Sequence, residues 1–169
     1  LNTTTFAQDD DQLSGYTDLL DTKIRGLSAE QIEGYQTGSG LGMALPAELN
    51  GYPGPRHVLD FDSSDELKLT DSQNDEIQAL YDEMLPEAIR LGEEILTQEA
   101  ELEQAFRNGT IDNEFLKKQL TSLSELYADL RFAHLSTHLA TINVLTPHQV
   151  VLYNSLRGYA DSDMDHSGH

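Results

Sequence analysis

The sequence contains no cysteine and no tryptophan, and it has only five phenylalanines in 169 residues. The absence of cysteine excludes disulfide scaffolds, cysteine zinc sites and thiol catalysis. The scarcity of aromatic residues predicts a core that is mostly aliphatic. No stretch approaches the roughly 18 apolar residues that a membrane-spanning helix requires. The length is that of one small domain.

Positive charge is also scarce. Ten Lys and Arg residues stand against thirty Asp and Glu residues, which gives a formal net charge of −20. Phosphate backbones and anionic membrane surfaces are bound mainly through Lys and Arg. We therefore expect no nucleic-acid partner and no direct membrane insertion. A metal ion or a basic protein is the electrostatically easier partner.

Motifs for catalysis are missing as well. The sequence has no GxSxG nucleophile motif, no phosphate-binding GxxxxGK[ST] loop, no dinucleotide-binding GxGxxG after a strand and no HExxH. The glycine-rich segment at residues 38–42 follows no predicted strand, and we interpret it as a turn. We expect that the protein is not an enzyme.

Composition divides the chain into four parts. The two ends are polar and acidic and are predicted to be disordered, because they cannot bury enough apolar surface to offset the entropy of ordering. The next part is rich in Gly and Pro and predicts short helices joined by turns. The rest has few helix breakers and predicts a helical hairpin domain. The parts are the arm 1–14, the segment 15–68, the hairpin 69–160 and the tail 161–169.

A short helix-starting motif occurs three times. In each copy, a Leu is followed by a Ser or Thr and, three residues later, by a Gln. This is the pattern of a capping box, in which the hydroxyl accepts a bond from a backbone N–H and the Gln side chain bonds back. The two copies of the hairpin part are Leu69, Thr70, Gln73 and Leu145, Thr146, Gln149, and the earlier copy is Leu27, Ser28, Gln31.

Apolar residues at steps of three and four predict two long helices. The first is expected over residues 71–107, with a kink near Pro86. The second is expected from a cap at Asp112 to about residue 143. Joined by a short turn, they form an antiparallel hairpin, and a shorter helix follows Thr146. The predicted fold class is all-α, with a long helical hairpin and short flanking helices.

The second long helix is apolar on two faces in its C-terminal half. One face carries His134 and His138, and the other carries Phe132, Leu135, Leu139 and Ile142. A thin hairpin with a two-faced helix must be covered from both sides. We therefore predict a homodimer.

Two histidines four residues apart on one helix form the leading candidate site. His134 and His138 project from the same face about one turn apart, which is a geometry that two imidazoles use to bind one metal ion. Counting back through the hairpin places Glu87 and Met84 opposite them. Such a set suits Zn, Ni, Co or Cu. The alternative is that both histidines are neutral packing residues bonded to a carbonyl or carboxylate.

Two further places could supply metal ligands. His57 follows a Pro-Gly-Pro turn and is either a third ligand or a locally packed residue at a helix start. The tail carries Met164, His166 and His169, which could bind a metal ion weakly. The tail could equally serve as an acidic segment for solubility.

The paired Leu-Thr-x-x-Gln motifs resemble those of the Spy/CpxP group of bacterial periplasmic proteins, which includes the zinc-responsive ZraP and the nickel and cobalt sensor CnrX. The segment GMALPAELNGYPGPRHVL, at residues 42–59, also resembles members described as periplasmic heavy-metal sensors. The resemblance covers residues 40–160.

The resemblance implies a cradle-like dimer of hairpins, a periplasmic location and no catalysis. Because the chain does not begin with Met, we interpret it as a mature or trimmed form, and for a periplasmic protein we expect that the export signal has been removed. The metal-bearing helix pair of the sensors corresponds to the region of Glu87, His134 and His138. The leading interpretation is a protein that senses or buffers a divalent transition metal, possible partners being a membrane-bound regulator or unfolded client proteins. The alternative is an ATP-independent chaperone or envelope-stress adaptor, although such chaperones typically present a basic surface.

Overall fold

The computed structural model describes residues 14–62 and 66–159, and this part of the chain contains helices and no strands. The all-α prediction is confirmed. The predicted tail and the predicted arm, apart from Ser14, lie outside the described residues. The helices are a short 3-10 helix at Thr17–Asp21, followed by α1 Ala29–Thr37, α2 Leu45–Glu48, α3 Pro55–Asp62, α4 Asp71–Arg107, α5 Asn113–Val144 and α6 Pro147–Leu156.

The long helices α4 and α5 form the predicted pair, and each begins at a side-chain cap. The hydroxyl of Thr70 accepts from the backbone N–H of Gln73 at the start of α4. Asp112 accepts from the backbone N–H of Phe115 at 2.8 Å at the start of α5. Pro86 lies inside α4, and the helix continues through it from residue 71 to residue 107.

The middle of the hairpin is covered on one side by α1. Tyr35 of α1 packs in a buried cluster with aliphatic residues of α4 and α5, namely Ala88, Leu91, Ile95, Leu123 and Leu130. The helices α1 and α4 approach each other so closely that a Cβ at Gly92 would lie 2.2 Å from the carbonyl oxygen of Tyr35. A glycine inside α4 is therefore required by this helix crossing.

A second cluster lies where the hairpin opens. It joins Val58 of α3, Ile77 of α4 and Tyr153 of α6, each fully buried, with Leu67 and Leu145 beside them. This cluster holds the short helices against the ends of the long ones.

The two capping boxes of the hairpin part are joined to each other. The side-chain amides of Gln73 and Gln149 lie 2.9–3.0 Å apart, within reach of two reciprocal hydrogen bonds. Gln73 also donates to the carbonyl of Val144 at 2.8 Å, which satisfies a backbone acceptor at the end of α5. Each Gln still accepts from the backbone N–H of its own cap residue, Thr70 or Thr146. The motifs therefore connect the start of α4, the end of α5 and the start of α6.

We expect Gln73→Ala to lower the free energy of unfolding by about 1–3 kcal/mol, because it leaves the Val144 carbonyl without its partner and removes the bonds between the two glutamine side chains. Chemical denaturation measures the loss. Gln31→Ala is the matched control: Gln31 closes the same kind of box with Ser28, by local bonds, and we expect it to cost about 0.5–1 kcal/mol. Equal losses in the two variants would contradict the role of the cross-helix bonds.

The second apolar face of α5 is partly open. Phe132 is 71% exposed and Leu139 is 55% exposed, whereas Leu135 and Ile142 are partly buried. The homodimer therefore stays a prediction, and the exposed side chains of Phe132 and Leu139 are available for such an interface. Within the described ranges, no helix has the length and apolar character needed to cross a membrane.

Candidate functional site

A cavity of about 490 Å³ lies between the hairpin and the short helices. Four of the predicted ligand residues line it: His134 and His138 of α5, Met84 of α4 and His57 of α3. The glycine-rich loop at residues 38–42, interpreted from the sequence as a turn, forms one wall. Two more charged residues of interest face it, Glu48 of α2 and Arg157 after α6.

His138 is held in one tautomer. Its Nδ1 lies 2.7 Å from the carbonyl oxygen of Tyr52, and because a carbonyl only accepts, Nδ1 carries the proton and donates. In this tautomer the Nε2 atom keeps its lone pair. A Cβ at Gly54 would lie 2.8 Å from this Nε2, so glycine is needed there for the ring to occupy its place.

His134 is the more deeply buried histidine, at 6% exposure. Its Nε2 is buried and has no hydrogen-bond partner among the described residues. Burial lowers the pKa of the His134 imidazole, and the nearby His138 lowers it further. The ring is consequently neutral at neutral pH, the form in which imidazole binds metal ions.

Glu48 is the carboxylate that the sequence analysis missed. It is 5% exposed, and its Oε1 accepts from the hydroxyl of Tyr153 at 2.6 Å and from Nε of Arg157 at 3.1 Å. Burial and this bond to Glu48 raise the pKa of the Tyr153 hydroxyl, which stays protonated. The other oxygen, Oε2, is buried without a hydrogen-bond partner in the described structure and lies 3.9 Å from Nδ1 of His138.

A compositional signal could have indicated Glu48. Residues 34–55 contain one charged residue, Glu48, in a chain that is 24% charged. A lone carboxylate in an uncharged, Gly- and Pro-rich segment has few local cations to pair with. Such a residue is either solvated or buried against groups from distant elements, and periodicity does not distinguish the two.

The prediction that Glu87 faces the histidines is wrong. Glu87 is exposed and makes two bonds to the guanidinium of Arg90, at 2.6 and 2.8 Å. The bond to Arg90 lowers the pKa of the Glu87 carboxyl. Glu87 is not among the residues that line the cavity, and it lines a separate groove together with Met84.

His57 lies at the rim of the cavity, and its side chain is 47% exposed. Its Nδ1 is 3.8 Å from a carboxylate oxygen of Asp60. Burial and the positive charge of Arg157 lower the pKa of the His57 imidazole. The possible tail ligands Met164, His166 and His169 lie outside the described residues.

The described residues contain no group of three or more His, Asp or Glu that is already arranged to hold a metal ion. The cavity instead presents unsatisfied ligand atoms on separate elements, chiefly Nε2 of His134 and Oε2 of Glu48. An ion would have to draw these side chains together. Comparisons with family models, curated proteins and solved structures give no match, so the family assignment stays a prediction from the quoted motifs.

We expect His134 to make stability fall on acidification. The unfolded histidine has a pKa of about 6.5, and the folded pKa is lower. The stability that neutral His134 contributes is therefore present above about pH 6.5 and is lost as the pH falls toward the folded pKa, at no more than about 1.4 kcal/mol per pH unit. Urea unfolding of wild type and His134→Gln between about pH 7.5 and about pH 5 measures the difference.

The control for this measurement is His148→Gln, which changes an exposed histidine at the start of α6. It shows the effect of removing a histidine from the surface, against which the effect of removing the buried one is compared. An unaltered slope in His134→Gln would mean that the buried ring does not titrate as described.

We expect Glu48→Gln to destabilise the fold by about 1.5–3 kcal/mol, because bonds to an ionised acceptor are replaced by bonds to a neutral amide. The same change at Glu87, on the exposed surface, should cost less than about 1 kcal/mol. Thermal and urea denaturation of the two variants give the comparison. A loss at Glu87 as large as that at Glu48 would refute the assignment of Glu48 as the buried anchor.

Proposed function

We propose that this protein binds a divalent transition metal ion in the cavity between the hairpin and the short helices, and that it senses or buffers that ion in the bacterial periplasm. The observation that carries the proposal is the presence on one cavity of two buried ligand atoms that have no hydrogen-bond partner among the described residues: Nε2 of His134 and Oε2 of Glu48. Buried polar atoms without partners are rare and costly in folded proteins. The periplasmic location rests on the motif resemblance.

Three residues would form the centre of the site. His134 supplies a neutral imidazole, and His138 supplies Nε2, whose lone pair is kept available by the bond from Nδ1 to the Tyr52 carbonyl. Such a bond to the second ring nitrogen orients a metal-binding histidine. Glu48 supplies negative charge through Oε2. Met84 and His57, on the wall and the rim, are available as further ligands.

An ion in this position would affect the C-terminal helix. Oε1 of Glu48 binds Tyr153, Arg157 and, at 3.2 Å, the hydroxyl of Tyr159. A cation at Oε2 would compete for the charge that holds Arg157. The carboxylate thus offers a physical link between ion binding and the placement of the end of α6, which is the type of response that a sensor needs.

The alternative function, an ATP-independent chaperone, is favoured by one observation. Phe132 is a large aromatic residue exposed at the hairpin surface, and exposed apolar surface is what a client-binding protein presents. Aggregation assays with and without a chelator separate the two functions. Suppression of client aggregation that is the same with and without the chelator would favour the chaperone function.

Calorimetric titration of the full chain with Zn²⁺, Ni²⁺, Co²⁺ and Cu²⁺ tests the metal proposal. We expect the double variant His134→Ala/His138→Ala to bind the preferred ion about tenfold or more weakly than the wild type. We expect Glu48→Gln to lower the affinity for this ion as well. Glu87→Gln is the matched control and should bind as wild type. The absorption spectrum of bound Co²⁺ should change when the histidines are removed, which shows that they ligate the ion.

A chain truncated after Ala160 separates the cavity from the tail, since it lacks Met164, His166 and His169. Circular dichroism of each variant confirms that it is folded. Tight binding that survives in the double-histidine variant and disappears in the truncated chain would move the site to the tail and overturn the proposal.

A further inference from the structure

A second groove lies on the other side of the hairpin from α1. Gly38, which ends α1, packs against Leu85 of α4. Glu87, two residues farther on, lies about 160° around the helix from Leu85 and lines this second groove. The groove has a volume of about 710 Å³ and runs between α4 and α5. The structure describes no element of the chain lying over it.

The groove combines an apolar floor with acidic edges. Its apolar lining comes from Leu80, Met84, Phe132, Ala133 and Ala140. Its charged lining consists of Glu83, Glu87 and Asp129, and all three are carboxylates. Within the described structure, Glu83 and Asp129 have no ion-pair partner, while Glu87 is paired with Arg90.

Among the described residues, none with a positive charge lines this groove. All ten Lys and Arg residues of the chain belong to the described part, and neither they nor the histidines of that part are among the groove's lining residues. Apolar surface framed by charge of one sign favours a partner with apolar side chains and the opposite charge. The partner chemistry is therefore cationic and amphipathic.

The dimensions match a short helix. The lining residues of α5 run from Asp129 to Ala140, a rise of about 16 Å, which is three helical turns. The lining residues Leu80, Glu83, Met84 and Glu87 repeat along one face of α4. A groove between two helices, about two turns long on the α4 side and about three on the α5 side, is the geometry into which a short amphipathic helix binds.

We propose that this groove is a docking site for a cationic amphipathic helix of about three turns, with its apolar face on Phe132 and Met84 and its Lys or Arg side chains against Glu83 and Asp129. Met84 also lines the metal cavity, whereas Phe132, Glu83 and Asp129 line only the groove, and the proposal does not depend on metal binding. Phe132, at 71% exposure, is the principal apolar contact.

A second copy of this chain is a poorer occupant of the groove. Each copy carries a net charge of −20, and a twofold pairing through the groove would bring the carboxylates of both copies together without an intervening Lys or Arg in its lining. Like charges brought together at an interface cost binding energy. The homodimer predicted from the sequence would then use another surface.

Fluorescence anisotropy with a labelled synthetic peptide tests the proposal. The probe is a helical peptide of about 14 residues with Leu and Phe on one face and Lys on the other, and the full chain is titrated into it in the presence of chelator. We expect saturable binding that weakens with added salt. Phe132→Ala should raise Kd by about tenfold, and Glu83→Gln/Asp129→Asn by about threefold with a smaller salt dependence.

Matched controls separate the groove from the overall acidity of the protein. Val151→Ala removes another exposed apolar side chain, which is 64% exposed on α6. Glu30→Gln/Glu33→Gln makes the same change in net charge on exposed residues of α1. Both control variants should bind the peptide as wild type does. A peptide of the same composition with its residues scrambled should bind about tenfold more weakly.

Three outcomes would overturn the proposal. Equal binding of the scrambled peptide, or an equal effect of the α1 variant, would show attraction by bulk charge alone. Sedimentation could reveal a dimer of the wild type that is lost in Phe132→Ala. If the peptide did not compete with this dimer, the groove would be assigned to a second copy of the chain. Since none of the altered residues lines the metal cavity, these results leave the metal titration unaffected and the two proposals can fail separately.

Discussion

The reciprocal bonds between Gln73 and Gln149 hold together the end of the hairpin where three helices meet. Each glutamine belongs to a capping box, so it would form local bonds in any helix that begins with this motif. Together they join the start of α4 to the start of α6, across 76 residues of sequence. The direction of α6 follows from this junction. The placement of Tyr153 and Arg157, which reach Glu48, depends on that direction in turn.

The cavity shows how one buried carboxylate organises residues that are far apart in the sequence. Glu48 lies on a helix of four residues, which would be marginal in isolation. It persists because its side chain bonds Tyr153 and Arg157, and because the neighbouring Tyr52 carbonyl accepts from His138. Burying a charge is costly unless it is paired and hydrogen-bonded. Oε1 of Glu48 is paired and hydrogen-bonded, whereas Oε2 has no hydrogen-bond partner among the described residues. Oε2 is therefore the atom that a bound cation would stabilise.

The cavity and the groove on the other side of the hairpin are lined by charged residues of different kinds. The cavity is approached by the cations Arg56 and Arg157 and by three histidines, although the chain as a whole is strongly acidic. Among the described residues, the charged groups that line the groove on the other side of the hairpin are carboxylates. Met84 lines both spaces, so the two share one side chain of α4. The two sides of the hairpin are suited to ligands of different kinds.

The sequence by itself determined the helices. The capping motifs and the apolar steps of three and four are local features, and they predicted the span of α4 at residues 71–107 and a start of α5 after Asp112. They also brought His134 and His138 to one face, because that follows from the helical repeat alone. Only the tertiary structure decided which carboxylate accompanies them. Glu87 lies on the exposed surface, paired with Arg90. The packing of short, weakly patterned helices brings Glu48 inside, and no local spacing in the sequence encodes that packing.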